Sequence, residues 1–372
     1  MKIAYFTTDW QQSPTDVPGK IQMSYGGTFY YRGALPAAAL AQQGYETVLS
    51  WRLEQAPDGH LRAFGVDGEW HDPDIFWTQR WMHKDAAEQM RRARAAGQIV
   101  IADLDDDFWS LGKTNLAYHT TDPKNNPDFN REHYKAMLSE CDLVTVSTDA
   151  LRRRAESFGV PAIVVRNSID IQNWPQNDPT SNGMIGWVGG IQWRAYDLEI
   201  LKPWLPQFLR DYGIPVYHGG NSNVPDVPKF HQKTGIDPTE TNVLMAPLCH
   251  IADYPRLWAP INVSLIPLER VPFNDAKSWL KQLESCAAGV PYVVSHGFHE
   301  QDLLLAESAG RVAKNEKPRQ WREHLEELLD PEVRRVEGAA NRKVAEAHDI
   351  RLRWRDWENA YATVVPGIGG EQ

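Results

Sequence analysis

Two successive runs of alternating strand and helix signals occupy most of this 372-residue sequence. The first run begins with the predicted buried strand 2–8 and ends with the strand signal 162–166, and the second extends from 184–188 to 292–295. Strands that alternate with helices are typical of a parallel sheet covered by helices on both faces. A chain of this length also exceeds the size at which one hydrophobic core usually stops growing. The sequence therefore predicts an α/β protein with two Rossmann-like domains.

The alternation is interrupted once, between residues 167 and 183, by a stretch rich in Asn, Asp, Gln, Pro and Ser. This composition is typical of an interdomain linker. We therefore expect an N-terminal domain over 1–167 and a C-terminal domain over 168–349, with a helix over 198–212 among the elements of the second. A last helical stretch, 350–362, could pack back on the first domain.

Charge and cysteine content limit the function classes. The net charge of -10 argues against generic binding to nucleic acid or to an anionic membrane, because both need clustered cations. Cys141, Cys249 and Cys286 lie far apart and form no CxxC pair, so they predict neither a zinc knuckle nor a disulfide framework. We expect no signal peptide and no transmembrane segment, since the apolar runs are too short. A reducing cytoplasm is the expected location.

The segment 273–295 carries the most informative pattern. It predicts a helix over 277–288, with Asn274 or Asp275 as its N-terminal cap and a stop at Gly289. Free N–H groups and the helix dipole favour an anion at such an N-terminus.

Three polar residues of this predicted helix would suit a nucleotide. Lys277 and Ser278 at its start would form a cradle for a diphosphate, and Glu284, two turns on, could accept hydrogen bonds from ribose hydroxyls. The alternative is a solvated helix face, because Lys and Glu at these spacings are common on surfaces.

Two glycine pairs follow predicted strands. Gly189 and Gly190 come after the first strand of the second domain, where small residues let backbone N–H groups approach a phosphate. An ordinary strand-to-helix turn explains the pair equally well. Arg194, four residues on, is a candidate for neutralising a diphosphate. Gly26 and Gly27 hold the analogous place in the first domain.

An acidic run, Asp103, Asp105, Asp106 and Asp107, follows a predicted buried strand, at the edge where α/β sheets place ligands. It could bind a divalent metal, it could contact an acceptor or supply a general base, or it could be a solvated, helix-capping loop. Like charges this close should raise the pKa of at least one carboxyl.

The segment from Phe273 to Pro291 resembles the donor-binding helix of GT-B glycosyltransferases, in particular of GT4-like bacterial and phage members with the pattern N-x-x-K-S-x-x-K-x-L-E…A-x-G-x-P. Residues 184–190 with Arg194 resemble the first strand and phosphate loop of that family's C-terminal domain. The stretch 254–268 is similar to the region before the donor helix, and 162–170 to the interdomain boundary.

The resemblance implies two Rossmann-like domains that face each other across a cleft. It implies transfer of a hexosyl or pentosyl group from a UDP- or GDP-sugar, with retention of configuration and without a metal or other cofactor. In this reading the donor is held by Asn274, Ser278, Gly189 and Gly190. Glu284 also holds the donor and contacts its ribose. Arg194 and Lys277 serve the departing diphosphate. Gly26, Gly27, Asp105 and Asp106 of the acceptor-side domain lie near the reacting centre.

One position departs from the family pattern. A Glu often stands eight residues before the ribose-binding Glu, and here that position is Ala276. The donor sugar is therefore left open, with Asn274 or Asp275 as possible substitutes for the missing contact.

Other functions and acceptors remain open at this point. A nucleotide-sugar epimerase or hydrolase of the same fold is one alternative, and a non-catalytic carbohydrate- or nucleic-acid-binding protein is another. The acceptor could be a modified DNA base, a protein, a polysaccharide or a glycolipid, and the location would be a host cytoplasm if the chain is phage-encoded.

Overall fold

The computed structural model divides the chain into two compact units. One consists of Met1–Ser168 together with Ile350–Gln372, and the other of Ile169–Asp349. The residues that the structure describes are 1–14, 21–113, 115–178, 183–222 and 227–368.

The first unit is built on a mainly parallel sheet. Its strands are β1 (Lys2–Thr7), β2 (Trp10–Pro14), β3 (Ile21–Tyr25), β4 (Glu46–Gln55), β5 (Leu61–Gly65), β6 (Trp70–His71), β7 (Ile75–Gln79), β8 (Ile99–Leu104), β9 (Leu143–Val146) and β10 (Ala162–Val164). Among the described residues, eight of them form one sheet in the order β10-β9-β8-β7-β1-β4-β5-β6, and β2 pairs with β3 in a separate hairpin. The central strands are apolar almost throughout, as expected for parallel strands that are buried on both faces. The β4-β5-β6 edge is antiparallel.

Helices connect these strands. They are α1 (Gly27–Phe29), a π-helical turn (Tyr30–Ala34), α2 (Leu35–Ala41), α3 (Ala86–Ala95), α4 (Leu116–Thr121), α5 (Arg131–Leu138) and α6 (Asp149–Glu156). Among the described residues, side-chain caps fix three of these helix starts, including that of α4, where Asn115 accepts from the Ala117 backbone. Asn130 accepts from the backbone of α5 and Thr148 from that of α6, which satisfies N–H groups that have no acceptor within the helix.

The second unit has a fully parallel sheet. Its strands are β11 (Ile185–Val188), β12 (Val216–Asn221), β13 (Val243–Pro247), β14 (Val263–Ile266), β15 (Tyr292–Ser295) and β16 (Arg311–Ala313). Within the part of the chain that the structure describes, their order is β13-β12-β11-β14-β15-β16. The helices are α7 (Ala195–Glu199), α8 (Leu205–Tyr212), α9 (Phe230–Thr234), α10 (Pro272–Asp275), α11 (Leu280–Ala287), α12 (His299–Leu305), α13 (Pro318–Leu328) and α14 (Pro331–Ala347), with a 3₁₀ turn over Ile251–Trp258. Strand and helix side chains such as Ile185, Phe208 and Trp321 form one buried core.

A final helix, α15 (Ile350–Ala362), belongs to the first unit. Tyr361 on this helix lies with its hydroxyl 3.3 Å from that of Tyr5 on β1. Trp357, one turn earlier, stacks under the guanidinium of Arg32 at 4.6 Å. The helix is thus anchored to the first unit by both aromatic packing and a buried cation.

The prediction of a continuous helix over 198–212 is wrong. The chain forms α7, a turn and then α8, because Pro203 has no N–H to continue a helix and disfavours helical geometry at the residue before it. Pro206 then occupies the first turn of α8, a position that suits its fixed φ. No helix within the described residues is long and apolar enough to cross a membrane.

Candidate functional site

The segment that resembles a donor-binding helix does not form one helix. The structure has the short α10, a non-helical stretch over 276–278, and then α11, which begins at Leu280 with Trp279 as its cap. The prediction that the helix starts at Lys277 with Asn274 or Asp275 as its cap is therefore wrong. Pro272 starts a separate earlier turn.

Asn274 is turned into the second unit instead of toward a helix start. Its amide nitrogen donates to the Asp197 carboxylate at 2.8 Å and to the Glu269 carbonyl at 2.9 Å. Both amide hydrogens thus have acceptors inside the unit. Asn274 consequently acts on the site by holding the Asp197 carboxylate. Asp275 is exposed.

A buried ion pair forms on α11. The Glu284 side chain is 2% exposed, and its Oε2 accepts from Lys281 Nζ at 2.8 Å and from the Tyr254 hydroxyl at 2.8 Å. Burial lowers the pKa of Lys281 and raises that of Tyr254. A solvated helix face is therefore the wrong description for Lys281 and Glu284, since a buried carboxylate needs a cation and hydrogen-bond donors around it.

Lys277 and Ser278 lie immediately before α11. Their carbonyl oxygens accept from the Nε2 of buried Gln301 on α12, at 3.3 Å and 3.1 Å. The Lys277 ammonium lies 4.2 Å from the centre of the Phe273 ring. Gln301 therefore fixes the backbone of this stretch, while the ammonium packs on an aromatic face.

Arg194 follows β11 and lies 3.8 Å from the Asp197 carboxylate, with 24% of its side chain exposed. Asp197 also accepts from the Glu269 backbone at 2.7 Å. Burial raises the pKa of Asp197, and the charges of Arg194 and Lys277 oppose that rise. The Arg194 charge also adds to the effect of burial on the pKa of Lys281. Three cations thus act on one carboxyl edge of the second sheet, the edge at which α/β proteins bind ligands.

Gly189 and Gly190 form the loop that leaves β11. Gly189 has a φ of 152° and Gly220, on neighbouring β12, a φ of 100°, conformations that favour glycine. A Cβ on Gly220 would lie 3.0 Å from the Gly189 carbonyl oxygen. The Gly189 N–H donates to the Gly219 carbonyl at 2.8 Å. The two strand ends therefore approach closely because neither carries a side chain.

In the first unit, Gly26 and Gly27 begin the α1 turn that follows the β2–β3 hairpin. The next residue, Thr28, accepts from Arg80 Nη2 at 3.2 Å. Arg80 comes directly after β7 and has a φ of 56°, which is unusual for a residue other than glycine. Its guanidinium also pairs with Asp9 at 3.2 Å. Arg80 therefore joins the loops after three strands.

The acidic run is divided among three arginines. Asp103, on β8, is fully buried and pairs with equally buried Arg32 at 2.7 Å. Asp105 and Asp106 both pair with Arg80, at 2.6 Å and 2.9 Å.

Asp107, the last of the run, pairs with Arg154 at 2.9 Å. The solvated-loop alternative is therefore wrong, because all four carboxylates are held by cations.

One carboxyl of this run has a raised pKa, as predicted, but burial and not the crowding of like charges is its main cause. Burial is the largest cause that raises the pKa of Asp105 to about 6, and the neighbouring Asp106 charge adds to it against the opposing effect of Arg80. The carboxyl could consequently exchange a proton near neutral pH.

The structure thus gathers Arg194, Asn274, Lys277, Ser278 and Glu284 with the Gly189–Gly190 loop in the second unit. It gathers Gly27, Asp105 and Asp106 around Arg80 in the first. None of the residues that organise both groups was among the predicted site residues, and these are Arg80, Asp197, Tyr254 and Lys281. The signal was present for two of them, since Arg80 directly follows a strand and Lys281 lies one turn before Glu284.

No protein-family model matches the sequence, and no curated protein matches it. The fold is similar to that of sucrose-phosphate synthase from Thermosynechococcus elongatus, with a TM-score of 0.63 at 14% sequence identity over 98% of both chains. It is also similar to Anabaena HepE in complex with UDP-glucose, with a TM-score of 0.63 at 13% identity over 98% of this chain and 100% of that one. A trehalose-6-phosphate synthase matches with a TM-score of 0.52 at 14% identity, over 78% of this chain and 74% of that one.

Identities this low show the fold alone. The chain has the GT-B fold, with a Rossmann-like sheet in each unit, and the prediction of this fold class is confirmed.

Proposed function

We propose that the protein is a glycosyltransferase that moves a hexosyl or pentosyl group from a nucleotide-diphosphate sugar to an acceptor hydroxyl. One observation carries this proposal: a buried carboxylate, Glu284, lies with three cations at the carboxyl edge of the second sheet. A carboxylate accepts hydrogen bonds from ribose hydroxyls, and cations attract a diphosphate. This edge of the second sheet therefore has groups complementary to both parts of a nucleotide.

The donor side consists of the second unit's residues. Glu284 accepts hydrogen bonds from the ribose, and Ser278 with the Gly189–Gly190 loop donates to the diphosphate. Arg194 and Lys277 stabilise the negative charge that develops on the diphosphate as the glycosidic bond breaks. Electrostatic stabilisation of a leaving group by fixed charges is the largest source of catalysis in many enzymes.

The acceptor side consists of Gly26, Gly27, Asp105 and Asp106. Because Asp105 has a raised pKa, it could accept the proton of an acceptor hydroxyl. We propose retention of configuration and no requirement for a metal. Support for retention comes from the similar trehalose-6-phosphate synthase, which was studied for glycosyltransfer with retention. The three cysteines are free thiols, which agrees with a cytoplasmic location.

The first experiment measures donor binding and transfer directly. UDP and GDP are titrated by calorimetry, with UDP-glucose as the first sugar donor because HepE was solved with it. Radiolabelled donor is then incubated with and without candidate acceptors, in EDTA and in Mg²⁺.

We expect micromolar binding of one nucleotide, acceptor-dependent transfer and equal rates in EDTA. Conversion of the donor without an acceptor would instead indicate an epimerase or hydrolase. Absence of binding to both nucleotides would refute the donor site.

A further inference from the structure

His218 contacts the loop that we assign to the diphosphate. It lies on β12 and is fully buried. Its ring packs against those of Trp187, with centroids 5.3 Å apart, and Phe230, with centroids 5.4 Å apart. Nε2 lies 3.0 Å from the carbonyl oxygen of Gly189. The ring is therefore held in one orientation, with one nitrogen directed at the loop.

The hydrogen-bond acceptor beside Nε2 determines which nitrogen of this ring carries the hydrogen. A carbonyl oxygen can only accept, so Nε2 must carry the hydrogen. Burial lowers the pKa of His218 to about 4, so the ring is neutral near pH 7 and Nδ1 has the lone pair. Nδ1 has no hydrogen-bond partner within the described residues. His218 consequently acts as a fixed neutral donor toward Gly189.

This contact determines where the next N–H group points. A trans peptide is planar, and its C=O and N–H point in opposite directions. Among the described residues no peptide bond is cis. Because the Gly189 carbonyl points at His218, the Gly190 N–H points away from it. The Gly189 N–H is held as well, by the Gly219 carbonyl at 2.8 Å.

The hydrogen bond from His218 is needed because both residues of this peptide are glycines. A peptide between two glycines meets little steric resistance to turning over, since neither residue has a Cβ. The turned peptide would present a carbonyl oxygen where a phosphate needs a donor. Gly189 and Gly190 are both partly exposed, so packing alone does not fix their peptide plane.

We propose that His218 is a positioning residue that holds the Gly189–Gly190 peptide with the Gly190 N–H directed at the diphosphate of the donor. This inference rests on the proposed function, because it assigns the loop to the diphosphate. His218 itself touches neither the nucleotide nor the sugar, and acts through one backbone group.

The test compares ligands with and without phosphate in two variants. His218→Phe keeps a flat ring against Trp187 and Phe230 but removes the donor, whereas His218→Gln restores a side-chain N–H at about the place of Nε2. The probes are UDP and uridine, with GDP and guanosine as the second pair. Titration calorimetry measures the diphosphates, and ligand-observed NMR measures the weaker nucleosides.

We expect His218→Phe to bind the diphosphate about tenfold more weakly, as for one lost hydrogen bond to a charged group, and to bind the nucleoside like the wild type. His218→Gln should recover most of the loss. Equal diphosphate binding by wild type and His218→Phe would overturn the inference. Equal losses for diphosphate and nucleoside would also overturn it, because they would show a general packing role. A wild type that binds neither diphosphate would refute the proposed function itself.

Nuclear magnetic resonance gives an independent readout. With ¹⁵N-labelled histidine and glycine, the His218 ring should be the Nε2–H tautomer between pH 6 and pH 8. The Gly190 amide proton should shift downfield on addition of UDP but not of uridine. An Nδ1–H tautomer would contradict the inference. A Gly190 amide proton whose shift stays unchanged while the protein binds UDP would contradict it as well.

Discussion

Replacing Glu284 by Ala while removing the ribose hydroxyls of the ligand tests the donor site most directly. Oε2 of Glu284 already accepts from Lys281 and Tyr254, so we assign the ribose the equivalent of one strong hydrogen bond. A bond to a charged group contributes about 1.5–3 kcal/mol. That range corresponds to a ratio of dissociation constants of about 10 to 150.

The assay is a cycle of four calorimetric titrations, with wild type and Glu284→Ala each binding UDP and 2′,3′-dideoxy-UDP. The wild type should lose about 10- to 150-fold in affinity for the dideoxy ligand, and the variant should barely distinguish the two. Any general damage by the substitution affects both ligands equally and cancels in the cycle. Glu284→Gln keeps an acceptor oxygen without its charge, so its ratio of affinities for the two ligands should lie between that of the wild type and that of Glu284→Ala.

The control is Glu323→Ala, an exposed carboxylate on α13 of the same unit, which should match the wild type with both ligands. The substitution of Glu284 also leaves Lys281 without its carboxylate. Because 23% of the Lys281 side chain is exposed, we expect a loss of about 1–2 kcal/mol in unfolding free energy, less than for a fully buried pair. A coupling below about 0.5 kcal/mol between Glu284 and the ribose hydroxyls would refute the assignment.

Two further predictions concern the first unit. Asp103→Asn should lower the free energy of unfolding by about 3–5 kcal/mol in urea titrations, since it leaves Arg32 buried without its counter-charge. The control Arg335→Ala, in an exposed pair, should change the free energy of unfolding by less than about 0.5 kcal/mol. An equally small change for both variants would contradict the prediction. Asp105 binds its proton more tightly in the folded chain, with a pKa near 6, so its contribution to stability is present below the unfolded pKa and is lost as pH rises through 6. The stability of wild type relative to Asp105→Asn should therefore fall by about 2 kcal/mol between pH 4 and pH 7, and a difference that is flat with pH would contradict the raised pKa.

The sequence pattern located the elements that carry both groups of residues. Alternating apolar runs predicted the parallel strands, because a strand buried on both faces must be apolar along its whole length. The pattern around Lys277 and Glu284 marked the helix that bears the buried carboxylate. These features are local, and a few neighbouring residues suffice to specify them.

The start of α11 could not be predicted from its own residues. Asn274 is a good helix cap by propensity, yet a buried carboxylate 77 positions earlier in the chain takes its amide. A cap would use the amide oxygen and Asp197 binds the amide nitrogen, but the side chain takes one orientation. Burial of a carboxylate without donors costs far more than a missing cap, so the orientation toward Asp197 prevails.

The sequence by itself determined two α/β sheets, the GT-B likeness and an acidic run at the end of a strand. Only the tertiary structure decided which cation each aspartate of that run meets, since Arg32 and Arg80 lie 71 and 25 positions away from their partners. Parallel register places Gln79 beside Asp103, and this alignment brings Arg80 to Asp105. Sequence patterns report on neighbours along the chain, whereas charge pairing depends on which strand ends the sheet brings together.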